Sequence, residues 1–175
     1  MIYSPTPYEV GARISRVLRF NGQTIVPYSV LQHTLAGYEI LRKRSKDPYE
    51  RVVWLLHDSE EGWVGDTPKP FKTDEQKLLG DSVREEIFHY NKVPYQDPRD
   101  ITVLAQLDND MADAEANIIC FPKYRERFPD MLGTPEIEAV TGLLDIGARE
   151  AIDIYVEILT GHLESPQLKS LRGRV

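Results

Sequence analysis

Apolar residues recur three and four positions apart along nearly every segment of this 175-residue chain, and no stretch alternates convincingly with period two. That spacing predicts an all-α fold, because a helix brings such positions onto one face. Val10, Ile14, Val17 and Leu18 mark a helix over 8–18, which Asn21-Gly22 breaks. Ser29 with Gln32 three residues on is a capping-box signature. The helix it opens carries Leu31, Leu35 and Tyr38 on one stripe and ends near Lys43. A third helix runs from Pro48 into Glu61 and buries Val52, Val53, Leu55 and Leu56. The stretch 62–70, rich in Gly and Pro, reads as an ordered loop. A polar helix over 74–90 and a linker over 92–99 follow. Asp100 caps a helix reaching about Phe121, and Thr134-Pro135 opens another. The last helix, with Ala148, Ile152, Tyr155 and Leu159, stops at Gly161 and leaves an exposed, basic tail over about 163–175. The length suits a single domain, 1–175.

Composition narrows the partners. The chain is 41% apolar, with no run near the roughly 20 residues that span a bilayer, so no membrane partner is expected. A net charge of -7 argues against nucleic acid as a partner, since duplex binders present a basic face. It leaves room for a small phosphorylated ligand, which needs only a few cations in one pocket. The single cysteine, Cys120, permits no intrachain disulfide, and the first residues show no signal-peptide pattern. A cytoplasmic location is the expectation.

The pair His57-Asp58 closes the third apolar run, and Glu61 follows three residues after Asp58. On a helix these three project toward one side. His33 lies inside the helix capped by Ser29. A lone histidine there is more often a hydrogen-bonded core residue than a ligand, but beside His57-Asp58 it reads as a second imidazole ligand. Leu104, Asp108, Met111 and Glu115 share one partly apolar stripe, whereas Asp110 and Asp113 fall on other faces. A carboxylate aimed into a core is costly unless paired or metal-bound, which selects Asp108. Two imidazoles and two carboxylates suit Zn, Mn, Co or Fe rather than Ca. Such an ion lowers the pKa of a bound water and polarises a phosphoryl group. Lys69, Lys72 and Lys77 cluster downstream, and Arg19 stands beside the Asn21-Gly22 turn; these are candidate phosphate contacts. Trp54 and Trp63 read as core or pocket wall.

The order His33, His57-Asp58, Asp108 resembles the HD-domain metal-dependent phosphohydrolases. The string Arg19-Phe20-Asn21-Gly22-Gln23-Thr24, then Pro27 through His33, is similar to the arginine-aromatic segment and first metal histidine of that family's small nucleotidase branch. Residues 54–72, with His57-Asp58-Ser59-Glu60-Glu61 and Gly65-Asp66-Thr67-Pro68-Lys69-Pro70-Phe71-Lys72, resemble its central motif, and Leu107-Asp108 through Ala114-Glu115-Ala116 its last block. The resemblance covers roughly 13–120; the Gly-Asp-x-Pro-x-Pro-x-Lys extension is its specific part. The branch holds bacterial 5'-deoxynucleotidases and compact phage enzymes that strip triphosphate from dATP. The resemblance implies a single helical HD domain with one divalent transition metal (Zn, Co or Mn) on His33, His57, Asp58 and Asp108, and an additional Mg accompanying a polyphosphate. It implies that Glu61 orients or activates the attacking water and that Asp66 approaches the sugar. Arg19 and Lys72 would hold phosphate, with Lys69 nearby, and Phe20, Asn21, Gly22 and Pro70 would lie against the base. A homodimer or hexamer is typical of the branch. Phe20 stands where many relatives have tryptophan, and Leu31 where many have alanine.

The leading expectation is hydrolysis of a deoxynucleotide, with dATP triphosphohydrolase favoured over 5'-deoxynucleotidase acting on dNMPs. A di-iron HD oxygenase or phosphodiesterase would need more histidines between His57 and Asp108, where only His89 stands. A non-catalytic nucleotide-binding module is the third alternative.

Overall fold

In a computed structural model of the protein, which describes residues 5–67, 72–126, 131 and 133–172, the architecture is an all-α bundle without a strand among those residues. The helices are α1 (Pro7–Ile14), α2 (Val30–Arg44), α3 (Pro48–Leu56), α4 (Glu61–Val64), α5 (Asp74–Tyr90), α6 (Thr102–Ile119), α7 (Pro122–Arg125), α8 (Pro135–Gly142), α9 (Ala148–Glu164) and α10 (Pro166–Arg172).

Helix α2 is the axis of the bundle. It packs against α1, α3, α6, α8 and α9, and every residue from Val30 to Leu41 except Glu39 is buried. Its start is fixed by the expected capping box: Ser29 Oγ accepts from Gln32 N at 3.2 Å, and Gln32 Oε1 accepts from Ser29 N at 2.8 Å. Gln32 also donates to the Leu143 carbonyl at 2.7 Å, tying this helix start to the end of α8. Thr73 and Gln76 repeat the device at α5, and Thr6, Asp47 and Thr134 cap α1, α3 and α8, each followed directly by a proline.

Several boundaries differ from the periodicity. Helix α1 ends at Ile14 rather than near Leu18, because residues 17–19 leave to pair with 28–30: Val30 N donates to Val17 O and Arg19 N to Tyr28 O, each at 2.9 Å. Asp100 caps nothing at α6; it belongs to a 3-10 turn over Pro98–Asp100, capped by Asp97, and Ile101 precedes the helix. Nor does the last helix stop at Gly161. It continues to Glu164, and α10 follows, with Leu168 fully buried where α10 packs on α3 and α9. Within the expected exposed tail, α10 is helical to Arg172, with Pro166, Gln167, Lys169 and Ser170 exposed and Leu168 buried.

The third helix also breaks early. Helix α3 ends at Leu56, and residues 57–61 run in tight turns with three-residue hydrogen bonds, such as Ser59 N to Leu56 O at 3.2 Å and Glu61 N to Asp58 O at 3.1 Å. Two side chains compete for the carbonyls there: His57 Nδ1 lies 2.6 Å from Trp54 O, and Ser59 Oγ donates to Leu56 O at 2.7 Å. His57 and Asp58 are therefore presented from a turn and Glu61 from the start of α4, not from one continuous helix face.

Candidate metal centre

Three elements converge on one point. His33 comes from the middle of α2, His57 and Asp58 from the turn after α3, and Asp108 from α6. Each offers a ligand atom, and the four atoms lie within 4.8 Å of one another. His33 Nε2 is 3.2 Å from His57 Nε2. Asp58 Oδ2 is 3.1 Å from His57 Nε2 and 3.8 Å from His33 Nε2. Asp108 Oδ1 is 3.5 Å from His33 Nε2. The two imidazoles are buried, and the carboxylates face a cavity.

The outer partners of the imidazoles decide what this cluster is. His57 Nδ1 faces the Trp54 carbonyl, which only accepts, so that nitrogen carries the proton. His33 Nδ1 donates to Glu115 Oε1 at 2.7 Å. Both Nε2 atoms then turn toward each other and toward two carboxylate oxygens. The negative charge gathered at that point calls for a cation, which a proton on His57 Nε2 or a metal ion can supply. The donor set of two imidazoles and two carboxylates fits a divalent ion, and the carboxylate-to-histidine contact behind His33 is the usual second layer of such sites. Burial works against charging His57, yet Asp58 and Asp108 outweigh it and hold its pKa above the ordinary value. For Asp58, burial opposes ionisation, but His57, His33 and Arg19 keep its carboxyl well below the usual range.

Glu115 was not singled out from the sequence as a site residue. Its side chain is completely buried, and its second oxygen accepts from Arg19 Nε at 3.2 Å and Nη2 at 3.1 Å. Arg19 Nη1 in turn reaches Asp58 Oδ2 at 3.5 Å. Burial disfavours the charged form of Glu115, but Arg19 and His33 hold its carboxyl below the ordinary value. The signal was present: Glu115 lies seven residues after Asp108, on the same inward stripe as Leu104 and Met111, where a charge demands a partner.

Glu61 lies beside this centre rather than in it. One of its oxygens and one of Glu60's come within 4.8 Å of an Asp58 oxygen. Glu61 Oε2 is buried without a hydrogen-bond partner among the described residues. Burial, then Asp58 and Asp66, push the Glu61 carboxyl well above its usual range. Asp66 Oδ2 accepts from Phe20 N at 3.1 Å, bracing a 3-10 turn over Arg19–Gly22 in which Phe20 and Asn21 are left-handed, with φ of 54° and 53°. Burial, followed by the pull of Arg19 against it and the push of Asp58, leaves the Asp66 carboxyl raised.

A cavity of about 760 Å³ opens onto Asp58 and Asp108, within the range of small-molecule sites. Arg19, Phe20, Glu61, Asp66 and Lys72 line it. So does Lys77, which also pairs with Asp74 at 2.9 Å. Asn21 and Gly22 are exposed and do not line it; Lys69 and Pro70 lie outside the described residues. His89 is exposed on α5, away from both clusters of ligand-type side chains. The cavity wall also carries, beside Asp58, a network that the sequence reading did not anticipate. Arg84 is buried and forks onto Glu60, with Nε to Oε2 at 3.0 Å and Nη2 onto Oε1; its Nη1 meets Asp81 at 3.3 Å, and Arg99 meets Asp81 at 2.9 Å. Trp54 is fully buried core, and its indole N–H donates to Thr34 O at 2.9 Å. No helix among the described residues is long and apolar enough to cross a membrane.

No known family model matches the chain, and no curated protein sequence matches it.

Proposed function

We propose that this chain is a metal-dependent phosphohydrolase of deoxynucleotides, acting on dATP to release deoxyadenosine and triphosphate. The observation that carries this reading is the convergence of four ligand-type atoms from His33, His57, Asp58 and Asp108 beside a cavity flanked by cations. Zn, Co or Mn matches this mixed nitrogen and oxygen set better than Mg or Ca, and an additional Mg would accompany a polyphosphate. Bound there, the ion supplies Lewis-acid chemistry toward water and a phosphoryl oxygen.

The chain's own groups do the rest. Glu61, whose buried Oε2 meets no hydrogen-bond partner among the described residues, would orient or activate the attacking water. Arg19 and Lys72 border the cavity and offset charge building on the phosphate oxygens. Phe20 contributes a ring for the base, with the Arg19 guanidinium 5.7 Å from its centroid. Asp66 spends one oxygen on Phe20 N–H and has the other to offer a sugar hydroxyl. The assembly belonging to this reading is a homodimer or hexamer in the cytoplasm, which light scattering and fractionation test.

The deciding experiment is a panel of dNTPs and dNMPs with Mn, Co, Zn or Mg added in turn. Inorganic triphosphate released from dATP is the expected product. Orthophosphate released only from dNMPs would reassign the chain as a 5'-deoxynucleotidase. Binding without turnover under every metal would make it a nucleotide-binding module. Activity that survived Asp58→Ala would remove the assigned centre from the chemistry altogether.

A further inference from the structure

Arg19 carries a permanent positive charge, and its Nη1 stands 3.5 Å from Asp58 Oδ2, the same oxygen that faces both imidazole Nε2 atoms. A guanidinium so placed is a rival for the cation that the centre needs. A charge-assisted N–H···O contact closes to about 2.7–2.9 Å when nothing restrains it. Something holds Arg19 back, and the buried carboxylate of Glu115 is what grips it.

We infer that Glu115 is a positioning residue that keeps Arg19 from displacing the metal ion at Asp58, an assignment that rests on the metal reading above. The geometry is specific. Glu115 Oε2 takes both Arg19 Nε and Nη2, the side-on edge of the guanidinium, at 3.2 and 3.1 Å, so only Nη1 points toward Asp58. Its other oxygen takes the His33 Nδ1 proton at 2.7 Å and thereby aims the His33 Nε2 lone pair at the centre. One carboxylate, fully enclosed on α6 two turns after Asp108, thus sets a ligand's tautomer and restrains that ligand set's competitor. With Arg19 side-on, Nη1 remains turned toward the cavity that Arg19 lines, where it can meet a substrate anion. Metal affinity and anion recognition are in this way joined through a single side chain.

Glu115→Gln separates the two duties. The amide oxygen still accepts from His33 Nδ1, but the NH2 group then meets Arg19 donor against donor. Arg19 is released toward Asp58. Mutations in the layer behind metal ligands typically cost about 10- to 100-fold in metal affinity, and a fall in that range is expected for Glu115→Gln, mainly from the released Arg19. Arg19→Gln removes the rival, so it binds the ion as tightly as the wild type or more tightly. The double variant Glu115→Gln/Arg19→Gln recovers most of the loss.

The measurement is a titration of the stripped full-length protein and its variants with Co(II), followed by visible absorption, with circular dichroism to establish folding. Recovery in the double variant supports the assignment, because a residue that merely held His33 would leave the double as weak as Glu115→Gln. That weak double, or a Glu115→Gln that binds Co(II) like the wild type, overturns it. If Glu115→Gln does not fold, Arg19→Gln alone decides: equal or tighter Co(II) binding upholds the rivalry, and weaker binding refutes it. A folded wild type that takes up no Co(II) would sink the metal reading itself, and this inference with it.

Discussion

The indole of Trp54 lies flat against the imidazole of His57, with ring centroids 4.1 Å apart and planes within 15°. The same indole is 5.5 Å from the His33 ring, so one core side chain supports both imidazoles of the candidate centre. Its other side is met by α2 at Gly37, where a Cβ would fall 2.0 Å from Trp54 Cζ2. Gly37 is therefore the gap into which the indole fits.

Gly37→Ala should lower stability despite the better helix propensity of alanine. Overpacking a filled core costs typically about 1–3 kcal/mol, against roughly 1 kcal/mol gained from propensity. The indole cannot retreat without pushing on His57. Chemical denaturation should give a lower midpoint, and metal affinity should fall in step. An unchanged midpoint would mean that Trp54 has room to move and is no rigid support.

Without a bound ion, the charge of Asp58 and Asp108 is offset by His57 and Arg19. Ion binding stabilises a fold by RT ln(1 + [L]/Kd), about 2.7 kcal/mol at a free concentration 100 times Kd. Calorimetry should therefore show a clear drop in Tm when a chelator is added. Asp108→Asn removes one of the repelling charges and one ligand, so its ion-free Tm should match or exceed the wild type's and its response to chelator should be small. A variant that melts lower without ion and still responds fully to chelator would place Asp108 outside the ligand set.

Much of the centre was legible in the sequence because its residues are chemically out of place where they stand. His33 interrupts a helix otherwise committed to the core, and Asp108 sits on a partly apolar stripe. The capping box at Ser29 is a local signature that needs no tertiary context, and it holds. Other features depend on competition between groups that no periodicity records. The end of α3 is decided by His57 and Ser59 taking carbonyls that a continuing helix would use. Glu115 shares the stripe of Asp108, but its importance comes from partners 82 and 96 residues away in the chain. The docking of α10 brings in Leu168, which is fully buried in a tail that reads as mostly basic and polar.

Alkaline pH should unfold the protein through its buried phenols. Tyr155 is completely enclosed, donates to Leu55 O at 2.8 Å, and has its pKa pushed up strongly by burial. Tyr28 is raised as well, by burial first and then by Glu115. A folded-state pKa above the unfolded value of about 10 means that full stability holds below pH ~10 and is lost as pH climbs beyond it. Each such group contributes a slope of up to about 1.4 kcal/mol per pH unit. Tyr155→Phe should cost about 1 kcal/mol near neutrality through its lost hydrogen bond, and should make the alkaline slope shallower. Urea titrations from pH 8 to 12 would reveal this; parallel curves for the two proteins would rule it out.

Cys120 should be an unreactive thiol in the native state. It is almost completely enclosed, and burial, followed by Glu115, pushes its pKa up to about 11. At pH 8 the thiolate that attacks alkylating agents is scarce. Iodoacetamide should label Cys120 slowly in the folded protein and rapidly in denaturant, as mass spectrometry can follow. Fast native labelling would show that the end of α6 opens readily.

The pairing of residues 17–19 with 28–30, together with the Ile25 N to Ile119 O bond of 2.7 Å, has a bearing on how such a chain can diverge. The segment that carries Arg19 and Phe20 is moored at both ends and in its middle, to the threshold of the helix bearing His33 and to the tail of the helix bearing Asp108. A single inserted residue would have to slip one of those moorings and drag a ligand helix with it. Change in what the cavity admits is therefore expected to come by swapping side chains in place, not by growing or shrinking the loop.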